Sequence, residues 1–106
     1  MKTYKLDITI AAQEDLERLY EFLSDQDAFF AERAVEAIEK AYEFLKFMPE
    51  SCRRAPMRLE GSLGGHIYRE MIVKFGRSGY LVLFEIQDDA TVSVIAVKHQ
   101  RKSDYH

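Results

Sequence analysis

Cutting RNA without a metal takes three groups: a base for the 2′-hydroxyl, a cation for the charged phosphorane and an acid for the leaving 5′-oxygen. The C-terminal run Lys98-His99-Gln100-Arg101-Lys102-Ser103-Asp104-Tyr105-His106 offers cations, two imidazoles and a phenol directly after the last predicted strand. With Arg69 as the cation, His99 and Tyr105 can fill the other two roles; the alternative is a solvated end, the usual behaviour of charged termini. Arg69 itself breaks a pattern, because it shares strand parity with Ile67, Met71, Val73 and Phe75 on an otherwise apolar face. Charges are seldom buried unless paired. Arg69 therefore either lies at a frayed strand start, reaching solvent or pairing with Glu70 or Glu85, or lines a concave anion site.

Other candidates offer less. His66 follows Gly64-Gly65 at a strand entrance and is assigned no role. Cys52, the single cysteine, stands beside Arg53 and Arg54, which favours the thiolate, but has no His or Asp nearby in sequence to serve it. It has no intramolecular disulfide partner and no ligands at zinc spacing, so no metal and no cofactor is expected. Glycine-rich phosphate loops and nucleophile elbows are also absent.

A chain of 106 residues fills one hydrophobic core, so residues 1–106 are expected to form one domain. Its hydrophobic fraction of 47% is high enough, and its charged fraction of 31% low enough, to argue against disorder. Met1 to Ile10 alternates polar and apolar residues and lacks the apolar run of a signal peptide or membrane helix, so a reducing cytoplasm is the expected compartment. The formal charge of −3 argues against binding nucleic acid through the field of the whole protein. Most acids lie in residues 1–51, whereas Arg53, Arg54, Arg58, Lys98 and Arg101 belong to a basic C-terminal half, where an anion or acidic partner is expected to dock.

The elements that must position these residues follow from periodicity. Tyr4, Leu6, Ile8 and Ile10 alternate with polar residues as a half-buried strand does. Leu16, Leu19, Tyr20 and Leu23 then recur at helical spacing to about Ser24. After the turn Ser24-Asp25-Gln26-Asp27, a second stripe runs through Ala31, Ala34, Val35, Ile38, Ala41, Tyr42 and Leu45, and Pro49 should stop that helix near Met48. So short a link makes the pair an antiparallel hairpin, with the alanines of the second helix admitting a close neighbour. Glu50 to Gly65 shows no period and is expected to be a loop. Three apolar runs, Ile67 to Phe75, Tyr80 to Ile86 and Val92 to Val97, are joined by short turns as in antiparallel hairpins. The middle run is apolar on both parities from Tyr80 to Phe84, which predicts a central strand covered on both sides. The order β-α-α-β-β-β gives an α+β domain, a helical hairpin packed on a mostly antiparallel sheet.

This order, together with Ala12-Gln13-Glu14-Asp15-Leu16, the Pro49 break, Tyr68-Arg69-Glu70 and Val97-Lys98-His99-Gln100-Arg101, resembles the RelE/ParE toxins of type II toxin–antitoxin pairs over nearly the whole chain. The resemblance implies a cytoplasmic, growth-inhibiting toxin neutralised by a cognate antitoxin that wraps an extended, partly helical segment around it. For such a segment Phe29, Phe30, Phe44 and Phe47 are candidate anchors, unless those rings complete the core. It also implies two possible targets. One class resembles ribosome-dependent messenger RNA endonucleases, in which Arg69, His99 and Tyr105 fall near the family's arginine, its Arg or His, and its C-terminal aromatic. The other resembles ParE toxins, often agents of plasmid stabilization, which inhibit DNA gyrase by binding. The pI near 5.6, the long hairpin and the His99-Gln100-Arg101 ending favour the ParE branch, because an acidic chain lacks electrostatic steering toward a phosphate-lined ribosomal site. DNA binding by the chain alone and association with a membrane are not expected.

Overall fold

The computed structural model describes residues 2–56, 67–77 and 79–100. Its elements are β1 (Lys5–Ile8), α1 (Ile10–Ser24), α2 (Ala28–Leu45), a 3-10 turn (Pro49–Ser51), β2 (Arg53–Arg54), β3 (Tyr68–Val73), β4 (Tyr80–Ile86) and β5 (Thr91–His99). The α+β architecture expected from periodicity is present, with one strand more than expected.

Local chemistry sets the boundaries. Thr9 caps α1, its hydroxyl accepting from Ala12 N at 3.1 Å, so the strand ends at Ile8, two residues earlier than expected. Ile10, expected on the buried face of the first strand, is instead the exposed first residue of α1. Asp27 caps α2 by accepting from Phe29 N and Phe30 N. That helix ends at Leu45, where Lys46 N and Phe47 N turn back to Glu43 O and Phe44 O, and Pro49 opens the 3-10 turn.

The five strands lie in the order β1-β5-β4-β3-β2, with only β1–β5 parallel. β4 is the middle strand, and Tyr80 to Phe84 are buried without a break. Both helices pack on one face, where Ile38, Leu45 and the alanines of α2 meet Val82, Phe84, Val92 and Val94. Burial of each large side chain there contributes about 1.5–3 kcal/mol. On the opposite face Leu83 joins Ala55 and Ala96, flanked by Tyr68 and Ile95.

Two departures from expectation have identifiable causes. The segment expected as a loop contributes β2, because Arg53 and Arg54 pair in register with Glu70 and Arg69. β5 runs two residues further than expected, to His99, because His99 pairs with Tyr80 and Gln100 N donates to Gly79 O at 2.9 Å. Within β5 the register steps from Leu83↔Ala96 to Phe84↔Val94, leaving Ile95 as the extra residue of a bulge. The bulge moves the helix-facing parity from Val92 and Val94 to Val97, which brings His99 onto the same side as Tyr80.

Candidate functional site

β3 turns Arg69 toward the helix side of the sheet, where its Nη1 donates to Cys52 O at 2.7 Å. The guanidinium thereby ties β3 to the chain leaving the 3-10 turn. The Tyr4 hydroxyl donates to the Glu50 carboxylate. That bond, then a backbone hydrogen bond, and then the charges of Lys2 and Arg69 hold the Glu50 carboxyl below the ordinary range. Tyr4, Glu50 and Arg69 thus join β1, the 3-10 turn and β3. Arg69 lies within β3, paired on both sides, rather than at a frayed start, and its described side-chain hydrogen bond goes to a carbonyl rather than to Glu70 or Glu85. No property of the sequence near Arg69 pointed to Tyr4 or Glu50, which are 65 and 19 positions away.

Arg53 belongs to the structural frame. Its Nε and Nη2 lie 2.6 and 2.5 Å from Glu70 Oε2, and the carboxylate side chain is only 1% exposed. Arg54 and Lys98 are exposed. Arg58, Arg101 and Tyr105 lie outside the described residues. Burial pushes the Cys52 thiol above its usual value, with Arg69 opposing, so its surroundings do not produce the lowered pKa that the neighbouring arginines suggested.

His99 sits at the other end of the sheet. Its ring meets Tyr80 edge-on, 5.5 Å between centroids, in an aromatic row that continues through Phe75 to Phe30. Arg69 is opposite Phe84 and His99 opposite Tyr80. Four residues along β4 and two strand spacings therefore separate their backbones by roughly 16 Å. The structure does not bring these two residues together.

The four phenylalanines proposed as anchors are all exposed, Phe29 at 66% and Phe47 at 46% among them. They form two groups. Phe29 and Phe30 open α2, close to Phe22 at 62% exposure near the end of α1; Phe44 and Phe47 close α2 beside the exposed Met48. From Phe30 to Phe44 the helix rises about 21 Å. Phe22 was legible in sequence, since it lies well off the Leu16–Leu19–Leu23 stripe. Among the described residues no cluster of His, Cys, Asp or Glu is suited to hold a metal, and no helix is long and apolar enough to cross a membrane.

Comparison with known proteins gives the architecture a lineage. No curated protein matches the sequence. The fold superposes on a chain of the chromosomal ParDE toxin–antitoxin system from P. aeruginosa with a TM-score of 0.71 and 16% identity, covering 92% of this chain and 96% of that one. A chain of the toxin–antitoxin complex RelBE2 from Mycobacterium tuberculosis matches with a TM-score of 0.53 and 26% identity, covering 93% of each. The family model described as the ParE toxin of the type II toxin–antitoxin system parDE matches residues 6–104, and the chain belongs to that family.

Proposed function

We propose that this type II toxin acts in the cytoplasm as a ParE-like inhibitor of DNA gyrase and replication, and that a cognate antitoxin neutralises it. The observation that carries the choice of target is the family match from residue 6 to 104, and the roughly 16 Å between the backbones of Arg69 and His99 supports it. The acidic balance of the chain points the same way, since a phosphate-lined target would repel it. In this reading Arg54 and Lys98, with Arg58 and Arg101, offer cations to an acidic patch of the target. The exposed phenylalanines at the two ends of α2 offer the apolar anchors on which an antitoxin segment folds.

Induction of the chain without an antitoxin in a bacterial host tests the choice, with plasmid supercoiling and message integrity followed in parallel. Gyrase inhibition predicts impaired supercoiling and DNA breaks, messages that stay intact by primer extension, and growth arrest that survives His99→Ala. The second reading, a RelE-like endoribonuclease, draws on the likeness to the RelBE2 chain. It predicts codon-phased cuts that disappear with His99→Ala, and that result would displace the gyrase assignment.

A further inference from the structure

Between the free edge of β1 and the helical hairpin run two adjoining clefts of about 650 and 620 Å³, which share Ile8 and Tyr42. Together they make one trough. Its floor is apolar: Leu6, Ile8, Leu16 and Val35, all partly buried. Its rim is acidic, with Glu36, Glu39 and Glu43 on α2 and Glu17 and Glu21 on α1. Lys40 and Lys46 are the cations of the lining, and Lys46 is engaged by Glu43 at 2.9 Å. No described ion pair engages Glu17, Glu21 or Glu39. Glu36 is engaged by Arg33 at 3.7 Å and Glu43 by Lys46, which leaves Glu17, Glu21 and Glu39 against Lys40 and a negative field over an apolar bed. In its wall the Tyr42 hydroxyl is buried with no hydrogen-bond partner among the described residues, beside Asp15 and Glu39.

The backbone decides the shape of an occupant. An extended peptide would have to join the outer edge of β1, where the alternation of ladder bonds through Lys5 and Thr9 leaves Leu6 and Ile8 facing outward. Both ends of that edge are plugged: Tyr4 N donates to Lys46 O at 2.7 Å, and Gln13 Nε2 donates to Ile8 O at 3.0 Å. Those two bonds leave only the Leu6 backbone groups and Ile8 N on the edge, too short a ladder to favour strand addition. Along α2 the trough extends from Val35 to Lys46, about 16 Å, which matches three helical turns.

We infer that this trough docks a basic amphipathic helix of a partner protein, about three turns long. Its apolar stripe seats on Leu6, Ile8 and Leu16, and its lysines or arginines meet the glutamate rim. The surface is distinct from the β3 flank of α2, where Phe30 meets Phe75 and Phe44 adjoins Met71 and Ile72. Its chemistry also asks for the opposite charge to that expected of a partner on the basic half of the chain.

The test uses the full chain and a synthetic 12-residue amphipathic Leu/Lys helix, a scrambled peptide of the same composition, and a Leu/Glu counterpart. Fluorescence anisotropy at low and raised salt gives affinities, and amide shift mapping gives the location. The Leu/Lys helix is expected to bind at least tenfold more tightly than the scrambled peptide, to weaken with salt, and to shift Leu6, Ile8, Leu16 and Val35. The Leu/Glu helix is expected not to bind. The triple variant Glu36→Gln, Glu39→Gln, Glu43→Gln, all exposed positions, should lose affinity at least tenfold with an unchanged fold by circular dichroism. The exposed variant Tyr20→Ser should weaken binding without any change of charge. Equal affinity for the scrambled peptide, indifference to the triple variant, or shifts centred on Phe44 and Phe47 would overturn the assignment. Supercoiling and growth do not enter this readout, so it stands or fails separately from the gyrase reading.

Discussion

Glu50 and Cys52 are two positions apart, and their environments move them in opposite senses relative to charge. The Tyr4 hydroxyl bond holds the Glu50 carboxyl below its ordinary value near 4.5, so the folded state favours the carboxylate. Its contribution to stability is complete above the unfolded pKa and is lost as the pH falls through the folded one. Urea midpoints should therefore drop more steeply below about pH 4.5 in the wild type than in Tyr4→Phe; parallel curves would refute the coupling. The Cys52 thiol is pushed up by burial against the pull of Arg69, so it stays protonated at neutral pH. Iodoacetamide should label it slowly until the pH exceeds about 9, and Arg69→Gln should move that pH profile upward rather than downward. Labelling at the rate of a free thiol at pH 7 would show that Cys52 is not shielded. The sequence named Arg69 and Cys52 as unusual, but their pairing depends on the 3-10 turn folding back on β3, which no local pattern encodes.

The bulge in β5 shows how an element can depend on a residue far away in sequence. Beyond Ile8, β1 no longer lies beside β5, and α1 takes over that edge. Thr9 donates its hydroxyl to Val94 O at 2.8 Å, and Asp15, whose side chain is 15% exposed, accepts from Val97 N at 2.9 Å. Asp15→Ala leaves that N–H without its acceptor and should cost about 1–3 kcal/mol in urea unfolding, with Asp15→Asn costing less because an acceptor oxygen remains. A loss below about 0.5 kcal/mol for Asp15→Ala would mean that water replaces the carboxylate. The turn before β4 makes a sharper comparison. Gly79 has φ +113° and a Cβ there would lie 2.4 Å from Val73 O, whereas Gly76 has φ +63° and its nearest neighbour, Phe30 Cζ, at 3.5 Å. Gly79→Ala should therefore cost upwards of about 2 kcal/mol, and Gly76→Ala about 1 kcal/mol. Equal losses would show that the left-handed backbone, not the carbonyl, sets the cost. The helices and four of the five strands were legible because period and caps act locally. β2 was not: two residues carry no period, and Arg53 and Arg54 are strand residues only because Glu70 and Arg69 lie across from them.

At the scale of the whole molecule, the helical hairpin has three surfaces: one packed on the sheet, one opening to the acidic trough, and one carrying exposed rings at its two ends. Sequence alone could nominate Phe29, Phe30, Phe44 and Phe47, since α2 has more aromatic residues than one stripe needs. It could not tell whether they filled the core, because that depends on how much of α2 the sheet covers. The alanines at 31, 34 and 41 bring the helix so close to the sheet that small side chains already fill the contact, and the rings are left outside. The two groups stand about 21 Å apart along the axis, beyond the range at which substitutions couple directly. If one antitoxin segment spans α2 and anchors at both ends, Phe29→Ser and Phe47→Ser should each weaken the complex by about 1–3 kcal/mol, and the double variant should lose the sum within about 0.5 kcal/mol. Titration calorimetry with the cognate antitoxin reads all three. Loss at one end with no effect at the other would restrict the anchor to that end. A double variant that loses much less than the sum would mean the segment detaches as a unit once either anchor is gone, because the length of chain between them has no contacts of its own to hold it in place.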